Sequence, residues 1–160
     1  LAVGQHGLMG KQNVYEHSVG VPLMIKAAAQ HTGKKTADLC YLIDVFPTLC
    51  DMLQLPVPQS VDGISLLSSL DGKEPVRDYL YYSYMDNQRG ISDGTWKLIE
   101  YHVNGKRTTQ LFNLKNDPWE RNDLSGQKKY EKTIQRLREK MAEEQKRTND
   151  TSVFWNNFNY

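Results

Sequence analysis

A chain of 160 residues suffices for one ordinary domain or two small layers, and at this size roughly 70% of the unfolded chain's surface is buried on folding. Its 39% hydrophobic and 24% charged content describes a globular chain, and 20 basic against 19 acidic side chains leave no bulk charge directed at nucleic acid. Apolar stretches such as 21–29 fall far below the ~20 residues of a membrane-spanning helix, and residues 1–10 lack the basic start and long apolar run of a signal peptide, so neither nucleic acid nor membrane is an expected partner. Cys40 and Cys50 match no close-spaced zinc pattern and are too few for a disulfide framework, which leaves buried free thiols.

The first 20 residues are rich in Gly and His and read as a loop. The run Val21-Pro22-Leu23-Met24-Ile25 then has the length and flanks of a buried strand. A second apolar patch, Leu39 to Ile43, ends at Asp44, which can cap a helix that accommodates Pro47 in its first turn. Val45, Leu49, Met52 and Leu53 share one face of that helix, and Pro56 and Pro58 end it.

From Asp71 the pattern changes to short β-rich runs separated by turn dipeptides. Tyr79 to Met85, Arg89 to Ser92, Trp96 to Val103 and Arg107 to Leu114 are predicted strands, with Asp93-Gly94 and Asn104-Gly105 suited to tight hairpin turns. A four-stranded antiparallel meander is therefore expected, ended by Asn116-Asp117-Pro118. Gln127 to Lys146 carries Tyr130, Ile134, Leu137 and Met141 at helical spacing, predicting one amphipathic helix with its apolar stripe on the sheet. The tail, with Val153, Phe154, Trp155, Phe158 and Tyr160, is aromatic enough to be expected to pack back on the body. Asn149-Asp150-Thr151 has the form of a glycosylation acceptor, a tripeptide common by chance.

Reactive residue types concentrate in His6, Lys11, Tyr15, Glu16 and His17, interleaved with Gly4, Gly7 and Gly10. Glycine lets a backbone approach a ligand, and a lysine beside it places a compact positive charge against a tetrahedral anion, as phosphoryl and sulfuryl transfer both require. The same residues on a solvated loop would have no such role, and spacing alone does not separate the two. His6, Glu16 and His17 match neither a His-Glu-x-x-His motif nor a Cys/His finger, and no Gly-x-Ser-x-Gly elbow is present.

Four segments in order carry a resemblance: 4–23 (GQHGLMGKQNVYEHSVGVPL), 44–49 (DVFPTL), 61–67 (VDGISLL) and 110–124 (QLFNLKNDPWERNDL). They resemble the formylglycine-dependent sulfatases of the alkaline-phosphatase-like superfamily, over nearly all of residues 1–148. The fold implied is α/β: residues 1–70 as the end of an alkaline-phosphatase-like catalytic domain, 71–148 as a small α+β subdomain of four antiparallel strands packed by a C-terminal helix, and 149–160 as an aromatic tail. Lys11 stands where the family lysine contacts the sulfate ester oxygen, which implies that it holds sulfate and stabilises charge on the leaving oxygen. His6 lies where the loop borders the substrate mouth of similar enzymes, and Arg89 and His102 fall on the meander that folds over that mouth, which makes them candidates for substrate selectivity. Gly20 replaces an arginine often found before Val-Pro.

Other family parts are absent from these residues. Cys40 and Cys50 are followed by Tyr-Leu-Ile and Asp-Met-Leu and do not form the Cys/Ser-x-Pro-x-Arg motif that is oxidised to formylglycine. The resemblance implies that an upstream half supplies formylglycine and the Ca²⁺ ligands, that no metal ligand lies in this chain, and that the chain alone is inactive on its sulfated carbohydrate or aryl sulfate substrate. It suggests a periplasmic, secreted or lysosomal setting. A phosphonate monoester or phosphodiester hydrolase of the same superfamily is the alternative enzyme. A non-catalytic module binding sulfated glycans through Lys11, His102, Lys106 and Arg107 is the alternative outside catalysis.

Overall fold

The computed structural model describes residues 1–26, 33 and 35–151. The expected packing of the aromatic tail from Val153 onward lies outside these residues. Contacts group the chain into two compact units, one joining Leu1–Val21 to the segment from Tyr81 onward and the other running Pro22–Leu80. The N-terminal loop thus packs with the sheet that the sequence assigned to a separate subdomain.

In the first unit a small ladder pairs β1 (Ala2–Val3) with β2 (Met9–Gly10), and a single helical turn, α1 (Glu16–Val19), follows. The expected meander is formed by β3 (Leu80–Tyr84), β4 (Gln88–Ser92), β5 (Trp96–Val103) and β6 (Lys106–Asn113), hydrogen-bonded in sequence order. Asn104 and Gly105, at φ +52° and +73°, occupy the left-handed positions that a two-residue hairpin between right-twisted strands requires. Register opposes Arg89 to Glu100, Glu100 to Thr109 and Lys97 to Phe112, which fixes the face of every side chain.

One sheet face carries Ile91, Leu98 and Leu111, all fully buried. The helix α4 (Glu131–Arg147) packs over β4 and β5 and presents Ile134, Leu137 and Met141, the stripe expected from sequence. Arg138 spans this layer, reaching Glu100 Oε1 at 2.7 Å and Thr109 Oγ1 at 2.9 Å. The other face carries Ile99 and Phe112, against which Val14 and Tyr15 of the N-terminal loop form a second core. Burying each such side chain contributes about 1.5–3 kcal/mol, so the loop is fastened to the sheet rather than draped on it.

The second unit is built around α2 (Val45–Met52), entered through a 3₁₀ turn at Leu42–Asp44, and the short α3 (Leu67–Leu70). Asp44 is fully buried and accepts hydrogen bonds from the Tyr41 and Ile64 amides at 2.7 and 2.8 Å and a two-pronged contact from Arg77. Thr48 Oγ1 donates to the Asp44 carbonyl and accepts from the Leu66 amide, so the loop before α3 is stapled to α2. Gly63 is required at the staple, because a Cβ there would overlap the Ile43 carbonyl.

The expected buried strand at Val21–Ile25 is not formed; Val21, Leu23 and Met24 are exposed and irregular. A buried strand needs hydrogen-bonding neighbours and two covered faces, and the described sheets, β1–β2 and β3–β6, include no such neighbours for it.

Candidate functional site

The N-terminal loop owes its course to a few anchored side chains. The Tyr15 hydroxyl lies 2.6 Å from Gln110 Oε1, and the Tyr15 amide donates to Asn13 Oδ1 at 3.0 Å. His6 stacks on the Tyr15 ring with centroids 4.0 Å apart and planes at 3°, and His17 lies 5.6 Å from His6 and 5.7 Å from Tyr15. His6 itself adopts φ +54°, a left-handed conformation in which its Nε2 comes 3.2 Å from the Trp119 carbonyl.

Beneath this layer is a buried charge cluster that the sequence reading missed. Lys97 is fully buried, and its ammonium sits 2.8 Å from Glu16 Oε1 and 3.1 Å from Glu120 Oε1, with the Tyr82 ring 5.1 Å away. Glu120 Oε2 also accepts the Glu16 amide at 2.6 Å, which ties the turn after β6 to the start of α1. Glu120 occupies the left-handed region at φ +53°, a conformation costly for a side-chain residue, here held by those two contacts. Burial raises the Glu120 carboxyl above its ordinary value despite the charge of Lys97. Burial, followed by the charges of His6 and Lys97, lowers His17. A signal for the cluster exists in the sequence: Lys97 falls in phase with Ile99 on a strand, where a charge must find a partner.

Above the cluster opens a cleft of about 850 Å³ whose walls include Gln5, His6, Glu16, His17, Trp119 and Arg121. His6 therefore lies on a cavity wall. Lys11 is exposed, follows Gly10 at φ +94°, and enters no ion pair with a described residue. Its ammonium is unspent, in contrast to that of Lys97.

Arg89 and His102 share one face of the sheet. Strand alternation puts both on the α4 side of the sheet, opposite the face that Val14 and Tyr15 cover. Arg89 is 3% exposed and committed to Asp150, with Nε at 2.6 Å from Oδ2 and Nη2 at 3.0 Å from Oδ1, and to the Met85 and Gln88 carbonyls. Asp150 also accepts from the Tyr81 hydroxyl at 2.6 Å, so the carboxylate of the chance-like Asn149-Asp150-Thr151 tripeptide fastens the end of α4 to the sheet. His102 opposes Arg107, whereas the adjacent Lys106 opposes Val103, so the cations of the basic hairpin are divided between two faces. Cys40 and Cys50 are free, and burial raises the Cys40 thiol above its ordinary value. Among the described residues no three His, Cys, Asp or Glu side chains converge as a metal-ligand set.

Residues 4–147 match the family model described as N-sulphoglucosamine sulphohydrolase, C-terminal. The chain belongs to this sulfohydrolase family. Within the sulfatases it is 29% identical over 161 residues to the N-acetylglucosamine-6-O-sulfatase of Bacteroides thetaiotaomicron, covering 92% of this chain and 29% of that protein. It is 26% identical over 127 residues to human arylsulfatase K, covering 71% of this chain and 24% of that protein. The sulfohydrolase-family chain thus spans between about a quarter and a third of the length of these relatives. A solved structure in complex with its substrate D-glucosamine-2-N,6-O-disulfate superposes with a TM-score of 0.60 at 29% identity, over 68% of this chain and 24% of that one. The phosphonate monoester hydrolase of Silicibacter pomeroyi superposes with a TM-score of 0.71 at 21% identity, over 90% of this chain and 32% of that one, a likeness of fold alone. The alkaline-phosphatase-like assignment and the sheet-plus-helix architecture expected from sequence both hold.

Proposed function

We propose that this chain is the C-terminal part of a sulfatase that hydrolyses sulfate esters of carbohydrates, with Lys11 binding the sulfate. The observation that carries the reading is the exposed ammonium of Lys11, which forms no ion pair with a described residue, beside Gly10 on a loop fastened to the sheet through Val14 and Tyr15. A lysine held this way presents a point charge to a tetrahedral anion without first breaking an ion pair, and so favours the negative charge that grows on the leaving oxygen. Formylglycine and calcium belong, in this reading, to the upstream part of the longer protein, which also supplies the rest of the pocket. The chain alone is accordingly inactive, and turnover of an aryl sulfate by the purified 160-residue chain would refute that part of the reading.

In the longer protein, Lys11→Ala is expected to cost about 2.7–4 kcal/mol of transition-state stabilisation, a fall of about 100- to 1000-fold in kcat, with an unchanged melting temperature. An unchanged rate would remove Lys11 from the mechanism. Parallel assays on a phosphonate monoester and a sulfate ester decide between the two reaction classes, since a lysine clamp by itself does not distinguish tetrahedral phosphorus from sulfur.

A further inference from the structure

Resting on the sulfatase reading, we propose that the cleft beneath Trp119 is a binding subsite for a sulfated sugar ring, with the Trp119 indole as its stacking platform and Arg121 as the partner of an anionic substituent. Trp119 is 67% exposed although it belongs to a tightly held turn. The Glu120 amide donates to the Asp117 carbonyl at 3.0 Å, the Asn122 amide donates to Asp117 Oδ2 at 2.8 Å, and His6 meets the Trp119 carbonyl. An aromatic side chain held at its backbone and left bare on a cleft wall loses little conformational freedom when a ligand covers it.

The surrounding groups suit a polyhydroxylated ring. Gln5, His6 and His17 line the cleft and offer donors and acceptors, and His17 Nε2 has no hydrogen-bond partner among the described residues. Arg121, two residues beyond Trp119, is exposed and enters no ion pair with a described residue, leaving its planar fork for a sulfate or carboxylate. Glu16 and Glu120 share the cleft, but Lys97 lies between them at 2.8 and 3.1 Å and offsets their repulsion of an anionic ligand.

The test is a titration of the 160-residue chain with N-acetylglucosamine 6-sulfate, followed through the indole N–H resonance assigned to Trp119 by its loss in Trp119→Phe. Saturable movement of that resonance is expected. Trp119→Ala should weaken binding about tenfold or more, as for an aromatic hot spot, and Trp119→Tyr should retain most of it. Arg121→Ala should abolish the preference over unsulfated N-acetylglucosamine. Absence of a saturable shift, binding indifferent to Trp119→Ala, or a sulfate preference that survives Arg121→Ala would each overturn the subsite. Aryl sulfate has no sugar ring, so its turnover by the longer protein separates this inference from the reading beneath it. Lys11-dependent turnover without Trp119-dependent sugar binding defeats the subsite and leaves the sulfatase. Trp119-dependent binding with turnover indifferent to Lys11→Ala keeps the subsite and removes Lys11 from the mechanism.

Discussion

Lys97 contributes through two carboxylates at once, and its removal is expected to be among the most damaging single changes in the chain. Glu120 is 2% exposed, so Lys97→Met strands a buried negative charge beside Glu16 and should cost about 3–5 kcal/mol in urea denaturation. Adding Glu120→Gln removes the stranded charge and should recover part of that loss, giving a coupling energy in a double-mutant cycle. The pH dependence has a definite sign. The folded Glu120 carboxyl titrates above its ordinary value of 4.5, so the folded state holds the proton more tightly. The contribution of this group to stability is full below about 4.5 and is lost as pH rises through the higher folded value. Without Lys97 that folded value rises further, so the Lys97→Met variant should regain stability on acidification from neutral pH. A flat stability profile in the variant would mean that the carboxylates find other partners. The His6 and Lys11 loop was legible because its residue types cluster along the sequence. The Lys97, Glu16 and Glu120 cluster was not, because it joins residues 81 and 104 positions apart from Glu16.

At the scale of elements, the meander and α4 were legible because their information is local. Turn dipeptides and apolar alternation set the strands, and a 3.6-residue stripe sets the helix. The face on which Arg89 and His102 emerge was not, since it depends on a register fixed by the hairpins and on which side α4 covers. Asp44 stands at the N-cap position of α2, but its side chain makes no cap hydrogen bond to that helix. The carboxylate accepts instead from the Tyr41 amide ahead of the 3₁₀ turn, from the Ile64 amide and from Arg77, contacts that sequence spacing does not disclose. Burial would raise the Asp44 carboxyl, but Arg77 and the two amides outweigh it and hold it below its ordinary value of 3.8. The stability this supplies is present above that ordinary value and is lost as pH falls through the lower folded one. Asp44→Asn leaves Arg77 buried without its countercharge and should cost about 3–5 kcal/mol at neutral pH. The gap to the parent should narrow on acidification below about pH 4, followed by chemical denaturation at each pH. A gap that stays constant through that range would show that Asp44 is not stabilising as a carboxylate.

At the scale of the whole chain, the apolar stripe of the second unit bears on how the protein behaves in solution. Leu42, Phe46, Leu49 and Leu53 recur at helical spacing, yet they are 64%, 52%, 48% and 66% exposed, while Pro47, Thr48 and Cys50 are the buried residues of α2. The face read from sequence was Val45, Leu49, Met52 and Leu53; of these Leu49 and Leu53, together with Leu42 and Phe46, have no cover among the described residues, whereas Val45 and Met52 are half-buried. An exposed contiguous stripe of this kind favours association. The purified chain is expected to self-associate at micromolar concentration, and Phe46→Glu with Leu49→Lys should restore a monomer in light scattering. Because both side chains are about half exposed, the pair should change unfolding free energy by no more than about 1 kcal/mol, as ordinary surface substitutions do. In the longer protein the proposed upstream part would seat on this stripe, and there the same two charges should be strongly destabilising, because each would be buried without a partner. Equal effects in the short and long chains would mean that the stripe stays uncovered in both, and would remove it as a contact between this chain and the proposed upstream part.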